Sequence, residues 1–131
     1  MPIKINKAWD EQRRNRRLFM ELPVGVAVIA QYPDFFYRRP QFQAKTRNVS
    51  ASGLALLAER PLPVGATVKL WIAVPISGES QTLKLRGMVV SASAREVTGT
   101  FLCHIQLSNR PEEAMRLWAN TMFENIRRFN E

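Results

Sequence analysis

Four arginines stand within five residues near the start of this sequence, at Arg13, Arg14, Arg16 and Arg17. Each guanidinium presents a rigid fork of N–H donors that matches a phosphate or the O6/N7 edge of guanine, and its plane stacks on a base. Farther along, Asn48, Ser50 and Gly53 form an Asn-x-Ser-x-x-Gly run. They supply an amide that donates and accepts, a hydroxyl, and a residue that tolerates positive φ and close backbone approach. Separately, each feature has a plain reading. An arginine run is a solvated tail that repels itself, and Asn, Ser and Gly are common turn formers. Brought together by the fold, they would make a receptor for an anionic ligand that carries a base.

The rest of the composition removes other chemistry. The 131 residues suit one domain with one core. Nineteen Lys and Arg stand against eleven Asp and Glu, for a net charge of +8. Fourteen of the basic residues are arginine, which favours bidentate recognition of phosphate or base edges over diffuse attraction to an anionic surface. One cysteine, Cys103, leaves no paired-thiolate zinc site and no internal disulfide, and no Ser-His-Asp set is expected around the one histidine, His104. There is no Gly-rich phosphate loop and no His-Glu metal spacing. A non-enzyme without metal or cofactor is expected. Cys103 alternates with Phe101, Ile105 and Leu107 and reads as a small buried residue, which turns His104 to the opposite face. No run approaches the ~20 apolar residues of a spanning helix. The basic N-terminus lacks the apolar core of a secretory signal, so a cytoplasmic location and no membrane insertion are expected.

The elements that would position these residues are mostly strands. Val24, Val26, Val28 and Ala30 alternate with Gly25, Ala27 and Ile29, a period of two rich in β-branched residues. Further strands are expected at Phe42–Thr46, Leu54–Ala58 and Val68–Val74, one beginning with Leu83, Leu85 and Val89, and one at Phe101–Leu107. The proline-bearing stretch Tyr32–Pro40 reads as a loop. That makes six short strands with turns between them, an antiparallel sandwich or a small closed barrel. The Asn48–Gly53 run falls at a turn between two of them. A helix is expected over 111–130. Ser108 or Asn109 would cap it, Pro111 would sit in its first turn, and Glu112 and Glu113 would face the positive end of its dipole. Met115, Trp118, Met122, Ile126 and Phe129 give it one apolar stripe, which would cover a barrel opening or dock a second copy or a partner.

Arg13 and Arg17 at a spacing of four, ahead of the first strand, followed by Asn48-Val49-Ser50-Ala51-Ser52-Gly53 after it, resemble the signature of the PilZ domain family. That family binds the bacterial second messenger cyclic di-GMP. A proline six residues after the second arginine, Pro23, fits as well, and the likeness spans nearly the whole chain. It implies an all-β fold: a six-stranded antiparallel barrel of the split-barrel type with a C-terminal helix. It also implies a flexible basic segment at 1–21 and a barrel at 22–131. Ligand-binding residues would be Arg13, Arg14, Arg17, Asn48, Ser50 and Gly53, with ordering of the N-terminal segment relayed to a protein partner in motility, exopolysaccharide synthesis or pili. A homodimer through the helix is open. Many members carry Asp where this chain has Asn48, which exchanges one carboxylate acceptor for an amide donor and puts affinity, not binding itself, in question. Two competing readings are a ligand-independent interaction module and a single-strand nucleic-acid binder. The second is disfavoured because the exposed aromatics are expected in the Tyr32–Pro40 loop and not on a sheet face.

Overall fold

The computed structural model describes residues 17–30, 42–95 and 99–130. Their elements are β1 (Leu18–Phe19), β2 (Pro23–Ala30), β3 (Phe42–Val49), β4 (Gly53–Ala58), β5 (Thr67–Ile76), β6 (Glu79–Arg95), β7 (Thr100–Leu107) and a helix, α1 (Glu112–Asn130). Strands β3, β2, β5, β6, β7 and β4 lie side by side in that order, all antiparallel, and β4 pairs back onto β3. The result is a closed six-stranded barrel, which removes the exposed sheet edges that an open sheet would carry. The two-residue β1 adds to it by pairing with the end of β3, Leu18 opposite Val49 and Phe19 opposite Asn48.

Alternation along each strand fills the interior. Val24, Val26, Val28, Leu54, Leu56, Val68, Leu70, Ile72, Val74, Leu85, Val89 and Ile105 are all buried there. Each such side chain contributes roughly 1.5–3 kcal/mol by leaving water. Cys103 belongs to the same core. Burial pushes its thiol above the ordinary range, and a hydrogen bond with the Leu62 backbone pulls it part of the way back, so it is a packing residue and a poor nucleophile.

One buried polar side chain ties the chain entry to the barrel. Thr46 is fully buried; its Oγ1 accepts from the Leu22 N–H at 2.8 Å and donates to the Met20 carbonyl at 2.5 Å. The Thr46 N–H donates to the Leu22 carbonyl at 3.0 Å. These bonds fix the link between β1 and β2 against β3, and with it the direction in which Arg17 and Phe19 leave the sheet. Thr46→Val keeps the shape but orphans two backbone groups. It is expected to cost about 1–3 kcal/mol, read as a lower denaturant midpoint with an unchanged slope.

The helix packs Trp118 and Met122 into the core, with Ala114 and Met115 partly buried against it. It runs beside the β5–β6 hairpin, where Pro75 and Ile76 face Leu117 and Thr121 across a groove. Its start differs from the sequence expectation. The Ser108 hydroxyl accepts from the Arg110 N–H at 3.2 Å and does not cap the helix; the Pro111 carbonyl instead accepts the first helical bond, from Met115 N–H at 3.0 Å. Proline suits that place because the position requires an acceptor and no donor. One strand also runs longer than its expected span: β3 continues past Thr46 to Val49, which draws Asn48 out of the expected turn and into the sheet.

Candidate functional site

Strand β3 carries the Asn48 side of the site. Its register against β4 slips between Thr46 and Asn48: Thr46 stands opposite Leu56, Asn48 opposite Ala55, and Arg47 is the additional residue. Thr46 and Val49 are buried, whereas Arg47 is exposed and Asn48 half-buried. The bulge thus turns two consecutive side chains, Arg47 and Asn48, to the outside of the barrel. Residues paired directly across antiparallel strands share a face. An outward row therefore runs Phe19, Asn48, Ala55, His104, Ser91 over β1, β3, β4, β7 and β6. Ala55 is the smallest member and is fully buried, and the Ser91 hydroxyl lies 2.9 Å from His104 Nδ1 at the far end.

The arginine side of the site meets this row. Arg17 NH1 donates to Asn48 Oδ1 at 2.6 Å, across 31 positions of sequence. Arg17 and Phe19 are two residues apart along an extended segment and lie on the same outward face. Arg13 and Arg14, expected in the same site, lie outside the described residues, as does the Tyr32–Pro40 loop.

Ser50 and Gly53 form the bend beneath Asn48, and the reasons for their identity are structural. Ser50 is buried. Its hydroxyl donates to the Gly53 carbonyl and accepts from the Gly53 N–H, both at 3.1 Å, while its own N–H donates to the same carbonyl at 2.8 Å. In this arrangement the hydroxyl is occupied within the bend and not turned to the outer face. The Ser50 carbonyl accepts from Trp118 Nε1 at 2.9 Å, which fastens the bend to α1. Gly53 does not use the positive φ open to glycine; close approach is what it supplies, since a Cβ there would stand 2.7 Å from the Ile105 carbonyl oxygen. Gly53→Ala is expected to push β4 from β7 and cost about 1–3 kcal/mol, seen as a lower melting temperature.

Below the Arg17–Asn48 pair, Gln43, Lys45, Arg47, Leu57, Glu59 and Thr100 line an open groove on the same outer surface. Lys45 has a partner in Glu21 at 3.8 Å, but both side chains are exposed, so the pair contributes only ~0–1 kcal/mol. The face is thus cationic, with an amide and an aromatic ring at its centre. Among the described residues, no group of three His, Cys, Asp or Glu side chains is placed to hold a metal ion, and no helix is long and apolar enough to cross a membrane. Sequence reasoning missed Arg47, Phe19 and Thr46. Only Thr46 left a signal: Phe42, Ala44 and Thr46 continue the inward parity of their strand.

No curated protein sequence matches this chain. Solved structures do. The inhibitor of motility MotI/DgrA of Bacillus subtilis superposes with a TM-score of 0.62 at 15% identity, covering 85% of this chain. This chain spans half the length of that protein. A tetrameric PilZ domain protein of Xanthomonas campestris, self-assembled through a helical bundle, gives a TM-score of 0.62 at 13% identity and covers 98% of this chain and 99% of its own. MrkH of K. pneumonia, solved as a complex with c-di-GMP, gives 0.57 at 15% identity, over 91% of this chain and 53% of its own. At these identities the likeness is one of fold. A sequence profile of the PilZ domain matches residues 11–123, from the arginine run through the barrel and into α1, and the chain belongs to the PilZ domain family.

Proposed function

We propose that this chain is a receptor domain for cyclic di-GMP, bound on the outer face of the barrel where Arg17 meets Asn48. The observation that carries this reading is the 2.6 Å hydrogen bond between those two side chains, which joins the two motif segments in one place. Cyclic di-GMP offers two guanines and two phosphates, and both groups suit guanidinium forks. Arg13, Arg14 and Arg17 supply these forks, Asn48 reads a guanine edge, and Ser50 and Gly53 hold the bend that aims Asn48. Membership in the PilZ family and the fold shared with MrkH support this reading.

On binding, the segment carrying Arg13 and Arg14 closes over the ligand and alters the surface offered to a regulated protein partner. The chain acts as a receptor and not as an enzyme. The helix is the candidate surface for a second copy, because it exposes Leu117 and Phe123; size-exclusion chromatography with and without ligand reads that assembly. The receptor reading itself is tested by calorimetric titration of cyclic di-GMP into the purified chain. Saturable heat is expected, and no heat at high micromolar ligand would remove the reading.

A further inference from the structure

Phe19 is the most exposed large apolar side chain among the described residues, at 84% of its full accessibility. Its place is not random. It stands directly opposite Asn48 in the β1–β3 pairing and two residues from Arg17, so a ring, an amide and a guanidinium share one outward face. Two other rings on this barrel are already covered by cations. Arg60 lies over Phe42 at 5.2 Å and Lys69 over Trp71 at 5.6 Å. Among the described residues no such partner lies over Phe19. An open aromatic face beside hydrogen-bonding groups at the level of a base edge is the arrangement that proteins use to hold unpaired bases, with stacking on the ring and edge-reading beside it.

We propose that Phe19 is a stacking platform for a purine base of the ligand held by Arg17 and Asn48. The ring takes one face of the base, and the guanidinium and amide read its edge. This proposal rests on the cyclic di-GMP reading above and adds a residue that the family signature does not include. Stacking is blind to charge, so the contribution of Phe19 is insensitive to salt, whereas that of Arg17 is screened. It also accepts any purine, so discrimination for guanine stays with the edge-reading groups.

The test compares wild type, F19A, F19W and R17A by calorimetry with cyclic di-GMP at two salt concentrations, alongside melting curves. F19A is expected to bind about tenfold more weakly, with the wild-type salt dependence and an almost unchanged melting temperature because the ring touches no core. F19W is expected to restore affinity and to show ligand-dependent fluorescence quenching in excess of wild type, as an indole under a guanine would. Equal affinity of F19A and wild type overturns the stacking role, as does a loss that tryptophan does not restore. If R17A loses affinity while F19A does not, the site stands and only this inference falls. If wild type itself binds nothing, the receptor reading has failed and the stacking role falls with it.

Discussion

Replacing Trp118 with alanine is expected to lower the stability of the domain by about 3–5 kcal/mol, a large share of the ~5–15 kcal/mol that holds a domain of this kind together. Two losses combine. The ring is fully buried in the barrel core, so truncation leaves a cavity that surrounding side chains fill only in part. The indole N–H also holds the Ser50 carbonyl at 2.9 Å, and its removal leaves that acceptor unsatisfied beneath the site. Trp118→Phe separates the two. It keeps most of the ring volume and removes the donor alone, at a cost of about 1–3 kcal/mol. Because Ser50 shapes the bend that presents Asn48, Trp118→Phe is also expected to weaken cyclic di-GMP binding although Trp118 is fully buried. Denaturant melts of both variants and calorimetry on the phenylalanine variant check this. A phenylalanine variant with wild-type stability and affinity would contradict the role assigned to the bond.

Arg17→Ala is expected to do the reverse, weakening ligand binding at least about tenfold while leaving the melting temperature nearly unchanged. Arg17 is exposed, and its described bond is to Asn48 at the surface. Surface substitutions of this kind shift stability by no more than about 0.5 kcal/mol. What the variant loses is a planar fork of the kind that suits a guanine edge or a phosphate. Arg17→Lys restores the charge but not the fork, so it is expected to recover only part of the affinity. The salt dependence of binding should flatten in the alanine variant and persist in the lysine variant, since screening acts on charge. Calorimetry at two ionic strengths measures both effects. Unaltered affinity of Arg17→Ala would exclude the residue from the site.

The barrel was legible because its physics is local and periodic. Val24, Val26 and Val28, then Val68, Leu70, Ile72 and Val74, show their buried face by alternation alone. Trp118 and Met122 show theirs by helical spacing. The two motif segments were legible from residue type and spacing, and the fold brings Arg17 to Asn48. The unread features depend on partners that no short window contains. Asn48 faces outward because β3 has one residue more than β4 requires at that point, a property of two strands together. Phe19 sits in a strand of two residues, too short for any periodicity, so the exposed aromatic was sought in the Tyr32–Pro40 loop instead. A serine in a bend has two uses, toward a ligand or toward the backbone, and the bonds of the Ser50 hydroxyl to the Gly53 backbone are visible only in the fold.

The most direct test of the account is a titration of cyclic di-GMP into isotope-labelled protein, followed amide by amide in solution. The account predicts saturable shifts at Arg17–Phe19 and Asn48–Gly53, with the β5–β6 hairpin tip at Ser77 and Gly78 little moved. Absence of shifts at high micromolar ligand, or shifts gathered at the hairpin and absent from the Arg17–Asn48 face, would contradict it.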